Sequence, residues 1–112
     1  MTHSNLKRIA DHFGRRDDKE FKATLFESGR LLLGVNCLKP GQTQRVHQHE
    51  NQDKFYAVQE GIGWFTVATE SFEAGPGEVV WAPAGVPHGV ENRGTTRLAI
   101  VVGIAPAPDR RL

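Results

Sequence analysis

Apolar residues near the start of the chain recur with the spacing of one helical face. The residues at positions i, i+3, i+4 and i+7 are Leu6, Ile9, Ala10 and Phe13. This spacing predicts an amphipathic helix, which Gly14 would end. The next stretch, RRDDKE, has no apolar positions and predicts a solvated, charged linker. We therefore expect an N-terminal helix and linker over residues 1–20.

From Phe21 onward the pattern changes to short apolar segments of strand length, separated by turn signals such as KPGQ, EGIG, AGPGE and PAGVP. The segments are FKATLFES, RLLLGVNCL, QRVHQH, KFYAVQE, GWFTVATE, EVVWAP, HGVEN and RLAIVVGIA. Many closely spaced strands predict an all-β sandwich or barrel, which we assign to residues 21–105. The Pro-rich, charged end of the chain predicts an exposed, flexible tail over residues 106–112.

Composition narrows the class of protein. A chain of 112 residues is long enough for one domain, and its single cysteine, Cys37, excludes an internal disulfide. The 14 basic and 13 acidic residues give a net charge of +1, so there is no electrostatic basis for binding nucleic acid. The N-terminus lacks the apolar segment of a signal peptide, and no apolar run approaches the roughly 20 residues that cross a membrane. We expect a cytoplasmic protein without nucleic-acid or membrane partners.

Two histidines lie close together in the segment QRVHQHENQDK. His47 and His49 are two residues apart, so on one strand both imidazoles leave the same face, as in a metal site. Lys54 argues against a metal, because an ammonium group repels a cation. For the histidine pair taken alone, a surface or core position without metal is the more ordinary interpretation.

The histidine pair lies within the first of two motifs that have glycines at defined positions. The first begins at Gly41 and ends at Gly61, with His47 and His49 between them. The second is GEVVWAPAGVPHGVEN, with its glycine, proline, histidine and asparagine positions at Gly77, Pro83, Gly85, His88 and Asn92. Together they resemble the two signature motifs of the cupin superfamily, in the order and separation of small single-domain cupins. The resemblance implies a jelly-roll β-barrel that holds a metal on His47, His49 and His88.

The first motif departs from that family at its acidic position. The cupins it resembles have a glutamate there, three or four residues beyond the second histidine. One spacing falls on Lys54 and the shorter on Asp53. Asp53 has the same strand parity as the histidines and is our fourth candidate metal ligand, but HENQD resembles a loop, which resets parity. The amide oxygen of Gln52 is a further candidate.

Lys54 leaves three arrangements open. It points out of the barrel, it points in as a neutral amine, or it points in charged with an anion between it and the metal. In the last arrangement the protein binds an anion, with carboxylate or phosphate oxygens on the metal and the ammonium group beside them.

The resemblance implies a divalent metal cofactor (Fe, Ni, Zn or Mn) and a small anionic or carbonyl-containing ligand. Dioxygenase, decarboxylase and isomerase chemistry all occur in the superfamily, and in such an enzyme Tyr56 or Lys54 would handle protons or substrate charge. The alternative is a non-catalytic barrel that binds a small molecule or sugar, with or without metal. We also expect a homodimer, because small cupins commonly pair and because FKATLF and RLAIVV would otherwise leave exposed strand edges.

Overall fold

The computed structural model of the protein describes residues 4–108, so residues 109–112 of the predicted tail lie outside the described residues. The described range contains nine β-strands. They are β1 (Phe21–Glu27), β2 (Leu32–Leu38), β3 (Thr43–His47), β4 (Asp53–Glu60), β5 (Gly63–Val67), β6 (Glu70–Ala74), β7 (Val79–Ala82), β8 (His88–Glu91) and β9 (Leu98–Ala105). The prediction of an all-β fold is confirmed.

The strands form two antiparallel sheets that share one core. The larger sheet has the order β1-β2-β9-β4-β7 and the smaller has the order β3-β8-β5-β6. Strand β9 lies between β2 and β4, so the segment RLAIVV is not a sheet edge. The segment FKATLF, in β1, is one edge of the larger sheet, and β7 is the other.

Alternate residues of each strand face the opposite sheet and form the barrel core. The core residues are Leu38, Tyr56, Val58, Phe65, Ala74, Val80, Ala82, Val90, Leu98, Ile100 and Val102. Burying each large apolar side chain stabilises the fold by about 1.5–3 kcal/mol. In β4 the inward set continues from Val58 and Tyr56 to Lys54, which is also buried. One end of the barrel interior is therefore polar.

The N-terminal helix is shorter than predicted. It is a single 3-10 turn, Ile9–His12, in which no residue is buried and no side chain caps the start. Leu6, the first residue of the predicted apolar face, is 67% exposed. Without a packed face, so short a helix cannot offset its nucleation cost. Phe13 alone packs, against the outer face of the larger sheet. No helix in residues 4–108 is long and apolar enough to cross a membrane.

Strand β3 contains a bulge that decides which side chains enter the barrel. Gln44 and His47 pair with residues two apart on β8, so Arg45 and Val46 together oppose only Gly89. The extra residue reverses the alternation, and Gln44 and His47 both turn inward. A Cβ at Gly89 would lie 2.8 Å from the Gln44 carbonyl oxygen and from the Val46 amide nitrogen. Glycine is therefore needed where the bulged strand crosses β8.

Candidate metal centre

Three histidine rings meet inside one end of the barrel. His47 ends β3, His49 follows two residues later, and His88 begins β8 directly opposite His47. The ring centroids are 4.5 Å apart for His47 and His88, 4.7 Å for His47 and His49, and 5.8 Å for His49 and His88. One ring nitrogen of each lies within 4.8 Å of the others. The side chains that the two motifs singled out are thus brought together.

The turn PAGVP holds the two motifs against each other. The Gly85 amide donates a hydrogen bond to the His49 carbonyl oxygen over 2.7 Å. Gly85 has a φ of +78°, which glycine adopts without strain. The Val86 amide donates to the Pro83 carbonyl oxygen over 3.2 Å and closes the turn. His88 therefore enters the barrel at a position set by backbone contacts with His49.

Backbone carbonyl groups orient two of the three rings. The Nδ1 atom of His47 lies 2.7 Å from the Arg45 carbonyl oxygen. The Nδ1 atom of His88 lies 3.0 Å from the Val86 carbonyl oxygen. A carbonyl oxygen only accepts, so each Nδ1 carries a proton, and in the neutral ring Nε2 then keeps a free lone pair. Metal-binding histidines are commonly oriented by such hydrogen bonds from the ring nitrogen that does not face the metal.

Burial keeps His88 neutral. Desolvation is the main cause that lowers its pKa to about 4, with smaller contributions from His47, Lys54 and His49. Burial also lowers the pKa of His49. The Nε2 atom of His88 is buried without a hydrogen-bond partner within the described residues. A buried, unprotonated nitrogen without a partner fits a metal ligand, and neutral imidazoles suit Zn, Cu, Fe or Ni.

Asp53 and Gln52 do not join the histidine group. Asp53 is the first residue of β4 and is exposed, and its Oδ1 accepts a hydrogen bond from the Ala84 amide over 2.9 Å. Gln52 donates from Nε2 to the Pro106 carbonyl oxygen over 3.1 Å. Both side chains are used to hold neighbouring loops, so we leave them out of the proposed ligand set.

Comparison with known proteins agrees with this architecture. Residues 34–104 match the family model for the cupin domain, which covers more than half of the chain and includes all three histidines. The chain belongs to the cupin family.

Similar chains come from distant organisms. The crystal structure of TT1209 from Thermus thermophilus is 37% identical, with a TM-score of 0.89, and the match covers 92% of this chain and 98% of that one. An uncharacterised protein of Methanocaldococcus jannaschii is 33% identical over 77 residues, which is 69% of this chain. The match covers 62% of that protein, so this cupin spans less than two thirds of that relative. An oxalate-binding protein of Thermotoga maritima is 26% identical over 103 residues, covering 88% of this chain and 84% of that protein.

Lys54 of this cupin points into the barrel. Strand β4 begins at Asp53, so its alternation turns Lys54 inward together with Tyr56, and Lys54 is only 5% exposed. Its Nζ donates to Gln44 Oε1 over 3.3 Å and lies 4.7 Å from the centre of the Tyr56 ring. Burial is the main cause that lowers the Lys54 pKa to about 8, with a further contribution from Lys22. The burial of Lys54 excludes the outward arrangement. With a pKa of about 8, the metal-free protein keeps this side chain mainly as the ammonium form at neutral pH, so a positive charge lies inside the barrel.

A hydrogen-bond network that the sequence did not reveal surrounds Lys54. The hydroxyl of Tyr56, which is fully buried, donates to Gln44 Oε1 over 2.6 Å. Gln44 Nε2 in turn donates to Glu20 Oε1 over 3.2 Å, and the Glu20 side chain is only 10% exposed. Burial, with a smaller contribution from Glu20, raises the Tyr56 pKa. Glu20 thus fixes the Gln44 amide so that its oxygen faces both Tyr56 and Lys54.

No local sequence signal identified Gln44 and Glu20. Gln44 lies in a strand whose alternation is reversed by the bulge, and Glu20 lies in the linker that was predicted to be solvated. Residues 15–19 of that linker are exposed as predicted, whereas Glu20 is turned toward the barrel.

An open cavity of about 840 Å³ leads from solvent to the histidines. Its lining is formed by the linker, the start of β1, strand β3 and two of the histidines: Arg15, Arg16, Lys19, Glu20, Phe21, Lys22, Thr43, Gln44, Arg45, His47 and His49. A small molecule can therefore approach the histidine group from this side of the barrel.

Proposed function

We propose that this cupin holds a divalent metal ion on His47, His49 and His88 and binds a small anionic or carbonyl-containing molecule beside it. The observation that carries the proposal is the convergence of three ring nitrogens within 4.8 Å. The buried Nε2 of His88 supports it, because it has no hydrogen-bond partner in the described range. An all-imidazole donor set favours Fe, Ni or Zn over Mn, which prefers oxygen ligands.

Charge balance is the reason to expect an anionic ligand. Three neutral imidazoles leave both positive charges of the metal uncompensated, and no carboxylate joins them in the described residues. Lys54 adds a further positive charge inside the barrel. A bound carboxylate would compensate this charge, and the similarity to the oxalate-binding protein of Thermotoga maritima supports the same ligand class. The metal, when bound, would supply Lewis-acid polarisation of a carboxylate or carbonyl oxygen.

A non-catalytic binding role is the second candidate, and one observation favours it. Tyr56 and Lys54 are the side chains that sequence analysis assigned to proton handling. Both are buried, and both donate to the same oxygen of Gln44. A hydroxyl committed in this way can accept a hydrogen bond from a ligand but is not free to donate its proton. The protein would then bind the anion without converting it.

Metal analysis tests the site. The protein is expressed without a polyhistidine tag, loaded in turn with Fe, Ni, Zn and Mn, dialysed, and analysed for bound metal. The wild type is expected to retain about one ion per chain. In the double variant His47→Ala with His88→Ala, metal affinity should fall by more than about 100-fold. Replacing a residue that only hydrogen-bonds a metal ligand would cost less than this. His12→Ala is the matched control, since it removes a histidine on the 3-10 turn. Equal metal content in all three proteins would refute the site.

Calorimetry tests the ligand class and product analysis tests catalysis. Oxalate and pyruvate are titrated into the metal-loaded and metal-free wild type, and the same mixtures are then analysed for consumed substrate. Binding that requires the metal, without consumption, supports the binding role, and consumption supports an enzyme. Equal affinity with and without metal would refute the proposed position of the anion.

A further inference from the structure

The cavity above the histidines has a charge composition that the rest of the chain does not share. Of its eleven lining residues five are basic and one is acidic, although the whole chain has a net charge of +1. The basic residues come from the linker, the start of β1 and strand β3: Arg15, Arg16, Lys19, Lys22 and Arg45. The fold therefore concentrates positive charge at the mouth of the barrel.

Two of these charges are neutralised within the protein. Arg16 makes two hydrogen bonds to the Asp18 carboxylate, of 3.0 and 2.8 Å. Lys22 lies 3.3 Å from Glu20 Oε1, and Glu20 is the single acidic residue of the lining. These pairs account for Arg16 and Lys22 without any ligand.

The other three have no such partner. Arg15, Lys19 and Arg45 make no hydrogen bond or ion pair with their side chains anywhere in residues 4–108. Arg15 interacts electrostatically with the Asp17 carboxylate, but that carboxylate is bonded to Lys39 over 2.7 Å. Lys39 is not part of the cavity. Lys19 likewise lies near Asp18, whose carboxylate is bonded to Arg16. Three cations without a hydrogen-bonded or ion-paired partner around one concave surface focus a positive potential that attracts an anion.

The cavity has room for a second anionic group beyond the one at the histidines. A volume of about 840 Å³ is that of a site for a ligand much larger than a two-carbon acid. A two-carbon acid bound at the histidines would leave the basic residues at the mouth of the cavity without a counterion. A longer molecule can satisfy both ends of the cavity.

We infer that the ligand of this cupin carries a second anionic group, a phosphate or a carboxylate, on a short carbon chain. The first anionic group lies at the histidines, and the second is bound by Arg15, Lys19 and Arg45. The guanidinium groups suit either oxyanion, because their paired N–H donors match two oxygens at once. The inference rests on the proposed function, since that function anchors the first group.

Calorimetry on the zinc-loaded protein with three probes tests the inference. Glycerate offers one carboxylate, 3-phosphoglycerate adds a phosphate to the same carbon skeleton, and malate ends in a second carboxylate instead. We expect one or both of the doubly anionic probes to bind at least about tenfold more tightly than glycerate. The probe with the larger gain identifies the second group. The gain should shrink near 1 M salt, where the Debye length is about 3 Å.

Matched variants then locate the second group. Arg45→Gln with Arg15→Gln should reduce the affinity for the preferred doubly anionic probe at least about tenfold and leave glycerate binding unchanged. The Arg45 carbonyl oxygen that orients His47 is a backbone atom, so the side-chain change leaves it in place. Arg30→Gln is the control, because it removes one positive charge outside the cavity. Bound zinc is measured for each variant to show that the histidine group is intact.

The outcomes separate the two proposals. Equal affinity of all three probes for the wild type would overturn the second anionic site and leave the proposed function standing. The same is true if Arg30→Gln weakens binding as much as the double variant does. If the zinc-loaded protein binds none of the probes, the second anionic site is overturned, and the oxalate titration then decides whether the anion half of the proposed function stands.

Discussion

Replacing Lys54 with methionine is expected to stabilise this protein and to weaken its binding of anions. The two side chains are similar in length, and methionine adapts to irregular interiors. Lys54 is only 5% exposed, and burial lowers its pKa from 10.5 to about 8. A shift of that size corresponds to about 3 kcal/mol of unfavourable free energy at neutral pH, where the folded protein must keep the charge buried.

The substitution also removes a favourable contact. The hydrogen bond from Lys54 to Gln44 contributes about 0.5–1.5 kcal/mol, and Gln44 Oε1 keeps its second donor, Tyr56, after the change. The net gain is then about 2 kcal/mol. For a chain of 112 residues this corresponds to a rise in Tm of about 8 °C.

The gain should depend on pH with a definite sign. Below pH 8 the lysine is charged in both the folded and the unfolded protein, so the full advantage of methionine is present. Between about pH 8 and 10.5 the folded lysine releases its proton while the unfolded lysine still holds it. Wild-type stability therefore rises relative to the variant in this window, and the advantage of methionine should be lost above it.

The assay is urea denaturation of metal-free protein at pH 7, 9 and 10, followed by oxalate titration of the metal-loaded forms at pH 7. Arg30→Met is the control, because Arg30 is exposed and lies outside the cavity. The reasoning would be refuted if Lys54→Met were less stable than the wild type at pH 7, or if the difference did not change with pH. An undiminished affinity for oxalate would remove Lys54 from the anion site.

Three further outcomes are expected. Gly89→Ala should lower metal affinity at least about tenfold while circular dichroism still reports β-structure, because its methyl group would meet the backbone of the β3 bulge and displace His47; unchanged metal affinity would contradict this. Asp53→Asn should change metal affinity less than about twofold in the same assay, since its carboxylate holds the Ala84 amide; loss of metal would restore Asp53 to the ligand set. We expect a homodimer in light scattering, through the β7 edge where Trp81 is 56% exposed, and a monomer for Trp81→Lys; a monomeric wild type would disprove the dimer.

The strands of the barrel were predictable from local rules in the sequence, whereas the convergence of its three histidines was implied by the resemblance to the cupin motifs. Glycines and prolines mark the turns, and the alternation between them marks the strands. The spacing within each motif places His47 and His49 near one another and puts His88 after a rigid turn. The N-terminal helix was predicted too long because the prediction used local spacing alone. Its apolar spacing was correct, but local spacing does not reveal whether a packing surface exists for the helix.

Only the tertiary structure decided which side chains enter the site. The orientation of His47 depends on a bulge that forms where β3 crosses Gly89 of β8, more than forty residues later in the chain. Lys54 faces inward because β4 begins at Asp53, which is a matter of register with β7 and β9 rather than of local composition.

The polar surroundings of the site were equally beyond the sequence. Glu20 meets Gln44 across 24 positions, and the cavity combines basic residues from the linker with Arg45 of β3. A side chain's neighbours across two sheets are set by strand pairing, and pairing is a property of the whole chain. The sequence therefore determined which groups could bind a metal, and the fold determined which charges surround it.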